Sequence, residues 1–173
     1  MKSKKGALEL SMNTIIIIVI GVVILSLGLM FVRGIFTSTT DLSEKVFGNA
    51  NKELDTLGGD ANNFLTVSPE TVRLKGGQTS GFVIQVTNLD EGVTYEDLTG
   101  SLESTGQGVS CEFTDGTTDT DIRRLIPGAY DRINVFVKAS KGSLGTKSCK
   151  FIVNNLPGDT IFDPEIEVTV VVS

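Results

Sequence analysis

Hydrophobic and polar positions divide the chain into two regimes. From Leu10 to Val32 there are 23 consecutive residues without a charge, dominated by Ile, Val and Leu. Roughly 20 apolar residues are enough to cross the hydrocarbon core of a bilayer. β-branched residues favour strands in water, but a single segment in lipid must satisfy its own backbone, so this run is predicted to be helical. A cleaved secretory signal is the rival reading. Its apolar region is usually about 7–15 residues and ends at small residues, whereas this run is longer and ends in Met30-Phe31-Val32-Arg33. A retained helix is the expectation.

Beyond the apolar run the helical rhythm continues. Leu42, Val46, Ala50, Leu54 and Leu57 recur at spacings of four and three, with charged and polar residues between them. Such spacing predicts an amphipathic stripe. Gly58-Gly59 supplies a stop. A helix over residues 7–57 would be about 75 Å long at 1.5 Å per residue. Ser38 or Thr40 is also able to cap a new helix, which would put a kink or break near Gly34–Thr40. The stripe has two readings. It packs against the chain's own head, or it packs against neighbouring copies.

From Phe64 onward the period changes to two. Phe82, Ile84 and Val86 alternate with Val83, Gln85 and Thr87. Similar alternation marks Ile133–Lys138 and Glu165–Val172. Shorter runs lie at Phe64–Ser68, Thr71–Leu74, Tyr95–Leu102, Val109–Phe113, Ile122–Leu125 and Lys147–Val153. Turn signals such as Gly76-Gly77, Asp115-Gly116, Pro127-Gly128 and Asn154-Asn155 separate them. Short strands with this punctuation predict an antiparallel β-sandwich. The expected organisation is therefore α+β: a basic leader over 1–6, a helix over 7–57, a linker over 58–63 and a sandwich over 64–173.

Charge adds direction. Lys2, Lys4 and Lys5 precede the apolar run, whereas residues 34–173 carry 11 Lys+Arg against 20 Asp+Glu, a net −9. Lysines before the span favour a cytoplasmic N-terminus and an external body. An acidic body lacks the basic footprint that nucleic acid requires.

Candidate chemistry is sparse. Cys111 is in phase with Val109 and Phe113, and Cys149 with Phe151 and Val153. Two inward cysteines in an external domain predict one buried disulfide. It would close a loop of about 39 residues and contribute up to about 4 kcal/mol. Two reduced core cysteines would satisfy the same phase. The chain has no histidine, so the commonest general base and metal ligand is missing. Asp115, Asp119 and Asp121 are hard-oxygen ligands suited to Ca²⁺, but their spacing does not match an EF-hand loop. They read as an acidic surface loop. No metal, cofactor or enzymatic activity is expected, and no acceptor motif for N-glycosylation is present.

The opening stretch KSKKGALELSMNTIIIIVIGVVILSLGLMFVRG, a basic leader, a glycine, a carboxylate and a long apolar helix before a β-domain, resembles type IV pilins, above all archaeal pilin-like proteins with class III signal peptides. The resemblance covers about residues 2–35. It implies a leader processed around Lys4, Lys5, Gly6 and Ala7 by a membrane peptidase. It also implies assembly, by dedicated machinery, into an extracellular filament whose core is the apolar helix. Ile15, Ile18, Gly21, Val22, Leu25, Gly28, Leu29 and Val32, extended by Leu42, Val46 and Leu54, would then pack against copies of the chain. Glu9 would set the register by pairing with a cation, the new amine at Ala7 of a neighbouring copy or, with the leader uncut, Lys4 or Lys5. Glu9 lies closer to Gly6 than the family's carboxylate usually lies to its cut. The segment VSPETVRLKGGQTSGFVIQVTNLD, Val67 to Asp90, is similar to archaeal surface Ig-like modules. These likenesses imply a cell-surface structural subunit, membrane-held before assembly. The alternative is a membrane-anchored Ig-like adhesion module that does not polymerise.

Overall fold

The structure is a computed structural model. It describes residues 4–57, 63–158 and 162–173; of the side chains of residues 4–13, 33–43, 45 and 57 nothing is described. Two compact units are present, residues 1–42 and residues 43–173.

One helix, α1, runs from Lys4 to Leu57. Its assignment passes through Gly34–Thr40 without interruption. Thr40 therefore starts no new helix, consistent with the absence of proline throughout this stretch.

Among the described residues nine strands follow: β1 Leu65–Ser68, β2 Thr71–Leu74, β3 Thr79–Thr87, β4 Thr99–Thr105, β5 Val109–Phe113, β6 Asp119–Asp121, β7 Tyr130–Ala139, β8 Gly145–Asn154 and β9 Glu165–Val172. They form a four-stranded sheet in the order β1-β3-β7-β5 and a five-stranded sheet in the order β2-β9-β8-β4-β6. Inward residues of both sheets, including Phe82, Ile84, Val135, Val137, Phe151, Val168 and Val170, form one closed core. The architecture is an N-terminal apolar helix and an Ig-like β-sandwich.

The sandwich is antiparallel, as expected, except at one edge, where β2 pairs in parallel with β9, Thr71 opposite Thr169 and Leu74 opposite Val172. The cause is the segment Ser68-Pro69-Glu70. Proline has no N–H for a ladder, so β1 ends there and the chain crosses to the edge of the other sheet. The run Ile122–Leu125 is not a strand. Pairing with β4 stops at Asp121, and Leu125 makes only a single bridge with Tyr95. The run Tyr95–Leu102 enters a sheet only at Thr99. Tyr95 and Leu98 are buried from within a loop, so their apolarity marks burial without marking pairing.

The disulfide joins β5 to β8 and so links the two sheets, with Cα atoms 6.1 Å apart and both cysteines buried. Gly100 stands where a Cβ would meet the Phe151 ring at 2.5 Å. Only glycine leaves room there for that ring.

Candidate functional site

Among the described residues, 14–32 form the largest run of exposed apolar side chains. Ile15, Ile18, Val22, Leu25, Leu29 and Val32 are each about half exposed or more, and so are the residues on the other sides of the helix. None of Thr14–Val32 is buried. A helix that is hydrophobic all round belongs in lipid or in a core made by other chains. Its polar atoms are managed internally: the Ser26 hydroxyl donates to the Val22 carbonyl at 2.8 Å. Gly21 and Gly28 have open space where a Cβ would stand, so each leaves a shallow notch through which another helix is able to approach. The span is long and apolar enough to cross a membrane, as an anchor or as a signal sequence would be.

The later part of the same helix has a different environment. Phe47, Ala50 and Leu54 are buried in a second small core with Val83, and Val46 and Phe136 pack on its rim. The rings of Phe47 and Phe136 are 5.0 Å apart and tilted. Gly81 makes room for this: a Cβ there would come within 2.9 Å of the Phe47 ring. β3 is therefore buried on both faces, Phe82, Ile84 and Val86 toward the sandwich core and Val83 toward the helix. Polar contacts fix the rim. Arg132 Nη1 lies 2.8 Å from Asp55 Oδ1, and Arg132 Nε donates to Gln85 Oε1 at 3.0 Å. The guanidinium also sits 5.1 Å from the centre of the Tyr130 ring. The buried Ser68 hydroxyl donates to Glu53 Oε2 at 2.6 Å.

Of the two readings of the amphipathic stripe, the structure thus realises packing on the chain's own head for Val46, Ala50 and Leu54. Ala50 and Leu54 are buried there, and Val46 is part-buried at the rim. Phe47, which sets its ring near Phe136, was missed by a four-residue rhythm that stepped over it. The spacing 47, 50, 54 is itself helical, and an aromatic in it is the signal that identifies the true face. The side chains of Lys4, Lys5, Ala7, Glu9 and Leu42, and the position of Gly6 as a processing site, lie outside the described residues.

The remaining polar clusters have local work. Asp115 accepts from the Thr117 hydroxyl at 2.7 Å and its amide at 3.0 Å, and these bonds hold its carboxyl below the ordinary range. With Asp119, Asp121, Thr99 and Thr120 it lines an open depression of about 460 Å³. Among the described residues no three His, Cys, Asp or Glu side chains come together as metal ligands. At one end of the sandwich the buried Asn88 amide donates to the carbonyls of Val93 and Leu125 at 2.7 and 2.9 Å. Nearby the Tyr95 hydroxyl donates to Asp90 Oδ2 at 2.6 Å. Burial, and then the Asp90 carboxylate, push this phenol well above its ordinary value. Asn88 and Tyr95 brace a long loop. Neither is poised as a nucleophile.

No protein-family model and no curated protein matches the chain. Among solved structures it is similar to WR4, an MSP family member of C. elegans, at 12% identity and TM-score 0.44, over 65% of this chain and 100% of that one. It is similar to the CARDB domain of a Pyrococcus furiosus protein at 16% identity and TM-score 0.45, over 62% of this chain and 91% of that one. It is also similar to a Salmonella alpha-2-macroglobulin mutant at 23% identity and TM-score 0.48, over 63% of this chain but 7% of that one. None of these likenesses carries a function over to this chain.

Proposed function

We propose that the chain is a non-enzymatic structural subunit of an extracellular filament of the type IV pilus kind. It is held in the membrane by residues 14–32 before assembly and joined to copies of itself through that same surface afterwards. One observation supports this reading above the rest. The helix is apolar on every side from Thr14 to Val32 and wholly unburied there, while the head has its own closed core and disulfide. Such a helix needs lipid or other chains, and its notched, β-branched surface suits both. The resemblance of residues 2–35 to class III signal peptides adds a leader peptidase and an assembly machinery as partners, and copies of the chain as the final environment. The acidic head gives no footing for nucleic acid.

Electron microscopy of the native protein, expressed with its own assembly machinery, tests this. Filaments are expected. Glu9→Ala leaves the apolar span intact, so normal membrane insertion with few or no filaments is the expected phenotype. Native protein seen only as dispersed membrane-bound monomers replaces this reading with the anchored adhesion module. N-terminal sequencing of the mature protein locates the processing site, with Ala7 as the expected first residue.

A further inference from the structure

The two ends of the sandwich carry opposite charge, and each carries an exposed apolar group. At one end three turns converge: β2–β3, β4–β5 and β7–β8. Gly77 donates to the Ala139 carbonyl and Ser140 to the Gly108 carbonyl, both at 2.8 Å. Residues 71–81, 104–111 and 138–149 contain no Asp or Glu. Lys75, Lys141 and Lys147 have no carboxylate partner among the described residues, while Lys138 is paired with Glu112. At the tip of the β7–β8 turn Leu144 is 68% exposed.

The opposite end lies about 30 Å away, the length of the nine residues of β3. There residues 88–98 hold Asp90, Glu91, Glu96 and Asp97 and no Lys or Arg. The nearby Arg123 and Arg124 are already paired, with Asp131 and Glu96. This end also bears a depression of about 320 Å³ in which Leu89 and Pro127 lie beside Asp90 and Glu91. Val93 and Ile126 are exposed next to it in the same two loops.

We propose that these ends are two halves of one contact: the Leu144 turn of one copy seats in the Leu89–Pro127 depression of the next, with Lys141 and Lys147 facing Asp90 and Glu91. Leu144 then leaves water, as do the apolar walls it meets, and the surrounding charges are complementary. Like ends repel, so head-to-head and tail-to-tail pairs are disfavoured. The two patches are different surfaces of one molecule, so the contact is heterologous and each copy is left with a free patch for the next. The proposal deepens the filament reading and takes its setting from it.

Cross-linking of the full chain expressed with its own assembly machinery tests it. A chain carrying both Leu144→Cys and Ile126→Cys is treated with a short bis-maleimide; the two native cysteines are bonded and buried. A ladder of dimers, trimers and larger species is expected, with no ladder from either single variant. No ladder, or dimers alone, overturns the proposal. Lys141→Glu or Glu91→Lys alone is expected to lower the yield about fivefold or more, and the two together to restore it. Failure of the swap to restore overturns the charge pairing. Micrographs of the same preparations separate the two readings. A ladder without filaments keeps the contact and removes the filament, filaments without a ladder remove the contact alone, and the absence of both removes both.

Discussion

Residues 14–32 and residues 43–57 belong to one helix, yet their apolar faces meet different partners. In the first segment every side is apolar and none of the described residues covers it. In the second, Phe47, Ala50 and Leu54 make a narrow stripe that the head covers, while Glu44, Lys52 and Glu53 remain exposed. Width of the apolar face is the difference. A stripe needs one flat partner, and the outer face of β3 with Val83 supplies it. A surface that is apolar all round cannot be satisfied by one sheet and must find lipid or several other chains.

The comparison breaks if the two segments respond alike to substitution. Phe47→Ala removes the centre of the second core and is expected to lower head stability by about 3 kcal/mol. Membrane retention should be unchanged, and thermal melting and membrane fractionation read the two effects separately. Leu25→Ala, in the exposed segment, should leave the head's melting temperature where it was. Val23→Asp does the reverse of Phe47→Ala. A carboxylate at the middle of a span costs about 2.5–3.5 kcal/mol on insertion scales, so the membrane fraction should fall sharply while the head melts normally.

The rim of the junction gives a smaller effect. Asp55 is 65% exposed in its pair with Arg132, so Asp55→Asn is expected to cost under about 1 kcal/mol. A loss as large as that of Phe47→Ala would mean that charge, rather than apolar burial, holds the helix to the sheet.

Changing pH sharpens the contrast further, because Thr14–Val32 contains no ionisable side chain and only the head should respond. Tyr95 keeps its proton more firmly folded than unfolded. Its contribution is therefore full below the ordinary phenol value of about 10 and is lost as pH rises past it. Glu112 behaves oppositely. Its hydrogen bond from Lys138 lowers its folded pKa, so its contribution is full above the ordinary Glu range and falls as pH drops through it. The Glu112 effect is the smaller, because Lys138 is half exposed. Urea titrations at pH 3, 7 and 11 should show the head weaken at both extremes. A melt unaffected at pH 11 would remove Tyr95 from the account.

Much of this was legible in the residues. The uncharged run Leu10–Val32, the period-two pattern of β3, β7 and β9, and the phase of Cys111 and Cys149 each express a local rule. A helix repeats every 3.6 residues and a strand every two, so burial leaves its trace in spacing. The trace failed where burial came without regular structure, as at Tyr95, Leu98 and Ile122, and where two helical spacings competed, as at Val46 against Phe47. The candidate interaction surface was legible as a span. The complementary ends of the head were not, because Lys75, Lys141 and Lys147 are scattered in sequence and meet only through three turns.

By itself, then, the sequence determined a long apolar helix, an acidic domain of short strands and the inward phase of two cysteines, since each depends on neighbours a few residues away. Tertiary structure alone decided that β2 runs parallel to β9, that Val83 faces a helix instead of water, and that charge separates to the two ends of the sandwich. Those outcomes depend on which strands become neighbours across the sheets. Residues tens of positions apart set that, through the volume each fills and the backbone groups each leaves to be paired.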